Sequence, residues 1–304
     1  MNQTQLGSLA VIVAALLWSL DGYLRQSLYS LPPTVVVFWE HVVGFVILLP
    51  IILATLRRFR EVTKKQWWAI ALVSFLSGAL GTILYTAALG KAQYIPFSVV
   101  VFLQQLQPVF AISAAALLLK EPIGKRFALL AALALVAAYF ISFPDLTVAA
   151  TKAGTFLAAI MALGAAASWG ASTAFSKYAL KDTSFLHITA ARFGLAPIFA
   201  LVLAFMLGHS SSLLALSGPQ WGKIVAITFS TGLVALAIYY FGLKRIPASR
   251  STLLELTWPL SAALVGFFFL GDRLTGTQWL GALVLIVVIY LVERDAERVT
   301  RQPA

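Results

Sequence analysis

The chain has 304 residues, of which 61% are hydrophobic and only 11% charged, with a mean hydropathy of +0.91. Soluble domains sit nearer half apolar and a quarter charged, so this composition sets a water-soluble enzyme aside. At about 24 residues per crossing and about six per turn, the length is filled by roughly ten membrane helices, and the net charge of +11 reports topology rather than a nucleic-acid surface.

In chain order, apolar runs predict spans at 6–29, 34–56, 67–90, 96–119, 126–143, 154–178, 185–207, 220–243, 247–270 and 276–292. Met1 to Gln5 carries no Lys or Arg, so the first run reads as a span and not as a cleaved leader. Pro32, Pro33, Pro96, Pro122, Pro144, Pro219 and Pro247 fall at predicted helix ends, where the missing N–H costs little. Pro50, Pro108, Pro197 and Pro259 fall inside spans and predict kinks beside protein or a water-filled cavity. With the N-terminus cytoplasmic, sixteen Lys and Arg lie on the inside, from Arg57 and Arg58 to Arg294, Arg298 and Arg301. Only Arg25, Lys91, Lys152, Lys223 and Arg273 lie outside, and Arg192 lies within a span. This bias places both termini in the cytoplasm.

The halves match each other. At an offset of 151, Trp18 meets Trp169, Pro96 meets Pro247, Pro108 meets Pro259 and Glu121 meets Asp272. At 154, Gln66-Trp67 meets Gln220-Trp221 and Tyr85 meets Tyr239. Each half has five spans, an odd number, so the second enters the membrane from the opposite side. The predicted fold is an all-α integral membrane protein of ten transmembrane helices in two inverted five-helix repeats, at 6–145 and 152–292, followed by a cytoplasmic tail at 293–304. Inverted repeats suit alternating access, because exchanging the conformations of the halves turns an inward-open state outward.

Each repeat opens with a tryptophan in a small-residue helix (Leu17-Trp18-Ser19, Ser168-Trp169-Gly170). Each also carries a proline in its fourth helix (Gln107-Pro108, Trp258-Pro259) and an acid closing that helix (Lys120-Glu121-Pro122-Ile123, Gly271-Asp272-Arg273-Leu274). Over residues 6 to 292 this pattern resembles the EamA family of the drug/metabolite transporter superfamily. The resemblance implies a ten-helix transporter with cytoplasmic termini, commonly an exporter of amino acids or other metabolites. Two places depart from the family. Arg192 matches an arginine often found in the second helix of a repeat, whereas the first repeat has Glu40-His41 there, and Asp272 replaces the more usual glutamate.

An ionisable side chain near the bilayer centre costs about 3 kcal/mol or more, so each such residue asks for a role. Glu40, His41, Arg192 and Glu255 lie roughly 10–12 Å into their spans at 1.5 Å per residue. Gln104 is the repeat counterpart of Glu255, and His41 of Arg192. A central substrate site built from these five is expected, with Glu40 or Glu255 as candidate proton-coupling groups; the other reading is a structural ion pair of either acid with Arg192. Glu40 and His41, about 100° apart on one helix, are not expected to face one cavity squarely. Gln104 and Gln105 equally suit interhelical hydrogen bonds. Trp18, Trp169, Tyr85, Tyr239 and Trp258 complete the expected site as surfaces for an organic cation or an aromatic ring, with core packing the competing role for each and for Trp39.

Other residues read as structural. Asp21 and Arg25 form an i, i+4 pair at the interface with Arg25 snorkelling, and Lys177 behaves likewise. Glu121 and Asp272 cap helices. Trp67, Trp68, Trp221 and Trp279 anchor at the interface. The stripes Ser74, Gly78, Thr82 and Gly164, Ser168, Ser172 permit close packing. With no Walker loop, HExxH or GxSxG pattern, the sequence offers no ATP site and no catalytic set, and calls for no cofactor or metal. The expected partners are a small-molecule substrate, the lipid bilayer and protons, with no nucleic acid. The leading function is a secondary transporter in a bacterial inner membrane, exporting an amino acid or related metabolite. An organic-cation transporter of the same fold is one alternative. A scramblase or assembly subunit is another, and it would seal the deep acids in helix contacts without a cavity.

Overall fold

The computed structural model describes residues 2–26, 28–91, 97–143, 155–265, 267 and 273–301, and those residues contain helices and no strand. The first half comprises α1 (Gln3–Trp18), α2 (Asp21–Gln26), α3 (Pro33–Ala54), α4 (Lys64–Val73), a wide π segment (Ser74–Gly81), α5 (Thr82–Leu89), α6 (Phe97–Gln104), α7 (Gln107–Leu118) and α8 (Lys125–Ser142). The second comprises α9 (Thr155–Ala179), α10 (Phe185–Met206), α11 (Gly218–Ile227), a second π segment (Thr228–Gly232), α12 (Leu233–Leu243), α13 (Ala248–Leu254), α14 (Thr257–Val265) and α15 (Gly276–Arg301). Among the described residues, each predicted span contains helix. Seven helical stretches are long and apolar enough to cross a membrane, and Gln3–Trp18 and Phe102–Leu118 are shorter apolar helices.

The shorter pieces have a physical reason. The first span breaks after Trp18, and the fourth and ninth break at 105–106 and 255–256, just before Pro108 and Pro259. These prolines therefore sit at interruptions of the helix and not at mere kinks, with the ring placed near the start of a fresh helix. Pro50 and Pro197 remain inside unbroken helices. Helix α15 runs beyond the predicted end of the tenth span, as far as Arg301.

The repeat seen in the sequence is carried into local structure. Thr63 and Ser217 open the third helix of each half with capping boxes to Gln66 and Gln220. About three turns further in, Ser74 donates to the Ile70 carbonyl at 2.7 Å and Thr228 to the Ile224 carbonyl at 2.9 Å. A hydroxyl that bonds the i−4 carbonyl competes with the backbone N–H, and both helices widen into π geometry at that place.

The halves interlock. Helix α1 packs on α12 and α14, α9 packs on α5 and α7, α3 pairs with α10, and α8 with α15. Small residues permit the closest crossings: Ala158, Ala162, Ala165 and Ala166 on α9 are wholly buried. Leu117, Phe156 and Met206, by contrast, are more than three-quarters exposed. Such an apolar outer surface matches lipid, as expected of an integral membrane protein.

At the α1–α12 crossing, a Cβ on Gly242 would stand 2.6 Å from the Gly7 carbonyl oxygen and 2.8 Å from Val11. Gly242→Val should therefore force the halves apart and cost about 1–3 kcal/mol. Thermal unfolding in detergent checks this; a melting temperature equal to that of the parent would contradict the crossing.

Candidate functional site

The broken first span turns a short helix, α2, inward. On it, Arg25 is buried at 3% exposure. Its Nε lies 2.5 Å from Asp21 and its Nη2 lies 2.8 Å from Glu40 on α3, while Nη1 is buried without a partner. Asp21 in turn accepts from Thr231 Oγ1 at 2.6 Å, on the second π segment. The expected snorkelling interface pair is thus a buried triad. Arg25 stays inside because the break after Trp18 lets α2 present it to Glu40. The expected pairing of Glu40 with Arg192 is replaced by this one.

Glu255 has a different setting. It accepts hydrogen bonds from Tyr239 Oη and Gln107 Nε2, each at 2.8 Å, and from Ser251 Oγ at 3.2 Å. Among the described residues, no cation pairs with it. Gln104 Nε2 donates to Gln107 Oε1 at 3.1 Å, so an amide relay joins the break in the fourth span to the break in the ninth. Gln105 Nε2 reaches Ser142 Oγ between helices. Arg192, with no carboxylate partner among the described residues, bonds the Tyr240 hydroxyl through Nη1 at 3.0 Å, and its Nε is buried with no acceptor.

Asp21, Arg25, Glu40, Gln104, Gln107, Arg192 and Glu255 border a cavity of about 170 Å³. Glu40, His41, Gln104, Arg192, Glu255, Trp18, Trp169, Tyr85, Tyr239 and Trp258 all line it. So do Asp21, Arg25, Gln107, Phe193, Thr231 and Gly232, which sequence reading had not placed there. Gln107 was visible as the residue before Pro108, and Ser251 as the residue one turn before Glu255. The arginine of the triad carried no distinguishing signal, because an i, i+4 pair with Asp21 looks the same at a surface. Glu40 and His41 both reach the cavity, contrary to the helical-angle argument. Glu40 does so on the α2 side, whereas His41 packs on Phe193 with ring centroids 4.9 Å apart.

The aromatic lining carries the repeat into the site. Trp18 and Tyr239 have ring centroids 5.1 Å apart, and Tyr85 and Trp169 lie 5.2 Å apart. Each pair joins the first helix of one half to the third helix of the other, and the operation relating the halves exchanges the two pairs. Trp258 Nε1 donates to the Trp18 carbonyl and Trp169 Nε1 to the Ser77 carbonyl, fixing both indoles at chain breaks or wide turns. Trp39 lies elsewhere, against Trp221 and bonded to the Leu213 carbonyl.

Away from the cavity, Glu121 accepts from the backbone N–H groups of Ala248 and Ser249 at 2.8 and 3.0 Å. It thereby caps α13 of the opposite half. Lys177 donates to the carbonyls of Leu243 and Ile246, each at 2.7 Å, and so caps the end of α12 instead of reaching for water. Asp272 lies outside the described residues.

The sequence profile of the EamA-like transporter family matches residues 5–143 and again 156–294. A protein named riboflavin transporter ImpX from Fusobacterium nucleatum is 32% identical over 298 residues, covering 95% of this chain and 97% of its own. One named riboflavin transporter from Rhizobium johnstonii is 26% identical, covering 100% and 99%. An uncharacterized transporter of Bacillus subtilis, YwfM, is 27% identical over 94% of this chain and 93% of its own. A solved crystal structure with 17% identity shares the fold at a TM-score of 0.75 over 96% of this chain and 98% of its own.

Removing Arg25 alone should be costly, because it strands two carboxylates at membrane depth. Arg25→Met is expected to lose about 3–5 kcal/mol, and combining it with Asp21→Asn and Glu40→Gln should recover much of that loss. Unfolding of the purified variants measures both; equal stability of the single and triple variants would contradict the triad.

Proposed function

We propose that this chain, which belongs to the EamA-like transporter family, moves riboflavin or a closely related aromatic compound across the membrane by alternating access at its central cavity. The chain is an integral membrane transporter rather than an enzyme. On this reading it crosses a bacterial inner membrane ten times, in repeats spanning 6–145 and 152–292, with both termini and the tail at 293–304 in the cytoplasm.

The observation that carries the reading is the exchange of the Trp18–Tyr239 and Tyr85–Trp169 pairs between halves, around one cavity. A flat ring held between two such pairs meets equivalent aromatic surfaces when the halves exchange conformations, which is what alternating access at one site requires. Two relatives named as riboflavin transporters support a flavin over the amino acid that the sequence suggested. Arg192, without a carboxylate partner among the described residues, argues against an organic cation, which would leave that charge uncompensated. The scramblase reading required sealed acids and no cavity, whereas Glu255 borders one. Glu255 is also the carboxyl in this lining that has no cationic partner among the described residues, and on our reading it takes hydroxyl donors of the substrate or a coupling proton.

Proteoliposomes containing the purified protein should show riboflavin counterflow that empty vesicles lack; absence of counterflow by folded protein would overturn the substrate. Glu255→Gln should lower the rate about tenfold or more while the protein remains folded. If protons are coupled, an imposed pH gradient changes accumulation in the parent and not in this variant. Equal accumulation with and without the gradient would remove the proton from the account.

A further inference from the structure

Arg192 and His41 occupy matching places in the second helix of each half, and both line the cavity. Arg192 is only 9% exposed. Among the described residues its guanidinium is hydrogen-bonded through Nη1 alone, and its Nε is a buried donor with no acceptor. An orphaned buried N–H is costly, so the guanidinium, whose residue lines the cavity, gains from a ligand that accepts from its N–H groups. His41 Nδ1 lies 2.9 Å from the Val37 carbonyl oxygen. A carbonyl only accepts, so in the neutral ring the hydrogen is on Nδ1 and Nε2 carries a lone pair. Phe193 packs against the imidazole with the two rings tilted by 32°.

The two groups are neighbours: Arg192 Nε and His41 Nε2 each lie 3.6 Å from the point where a Cβ on Gly78 would stand. Both residues also line the cavity, so its wall carries a guanidinium, which only donates, near an imidazole acceptor. Amide and imide edges carry the complementary order, a carbonyl beside an N–H.

We propose that Arg192 and His41 determine specificity by reading the imide edge of an uncharged heteroaromatic ring, the guanidinium donating to a carbonyl and His41 Nε2 accepting from the adjacent ring N–H. For riboflavin this is the pyrimidine edge, where N3–H stands between two carbonyls, and the assignment rests on the flavin reading above. The hydroxylated chain is then left to the other polar end, where Glu255 offers acceptor oxygens. A ring of similar shape without the imide N–H leaves His41 Nε2 unpaired, and sites built on hydrogen bonds reject such analogues strongly.

The test titrates purified protein with riboflavin and with N3-methylated riboflavin, following quenching of flavin or tryptophan fluorescence. The parent should bind the methylated compound at least about tenfold more weakly. His41→Phe, which keeps a flat ring against Phe193 but removes the lone pair, should bind the two compounds with equal, reduced affinity. Equal binding of the two by the parent overturns the proposal without needing any variant to fold, and discrimination that survives in His41→Phe overturns it too. Failure of the folded parent to bind either flavin overturns the flavin reading and this inference with it. Binding of both without discrimination overturns this inference alone.

Discussion

A charge at the depth of lipid hydrocarbon needs a partner or a cavity, and the interior of this protein is arranged around that constraint. Arg25 meets its need by ion pairs to Asp21 and Glu40. Those contacts require the first span to break after Trp18 so that α2 can turn toward α3. Glu255 takes the other course, held by neutral groups at a break in the ninth span and open to the cavity. Arg192 also takes it, with a single hydroxyl partner among the described residues. Interrupted backbone and deep charge occur together because irregular backbone at membrane depth is tolerated where it lines a cavity.

The repeat supplies the second layer of the design. Each first helix packs into the opposite half, so the Trp18–Tyr239 and Tyr85–Trp169 pairs form across the boundary between halves. The wide segments at Ser74–Gly81 and Thr228–Gly232 lie at equivalent places and border the same cavity through Ser77, Thr231 and Gly232. Symmetry is broken where chemistry is placed. Glu255 stands where the first half has Gln104, Arg192 stands where it has His41, and the ion triad of the first half has Ser172, Ser176 and Ala191 at its matching positions in the second. The scaffold repeats, and the lining of the cavity does not.

Most of the fold was legible in the sequence because lipid imposes it: apolar runs have to be helices, and Lys and Arg mark loops. The offset of 151 drew attention to His41 and Arg192, which both line the cavity. Pairing was harder to read. Whether Glu40 bonds Arg25 or Arg192 depends on a helix break three-dimensionally opposite it, and no local pattern near Trp18 announces that break. The single-helix argument separating Glu40 from His41 failed for a related reason. A cavity that extends on two sides of α3 is a property of several helices, invisible from the angle along one.

The native chain contains no cysteine, so one introduced thiol reports on one place. Ser172, small, buried and in the cavity lining, is the position to use. Ser172→Cys should react with a membrane-impermeant thiol reagent in intact cells and also in inverted vesicles, and riboflavin should slow both reactions. Labelling from one face alone, with no effect of riboflavin, would contradict alternating access at this cavity.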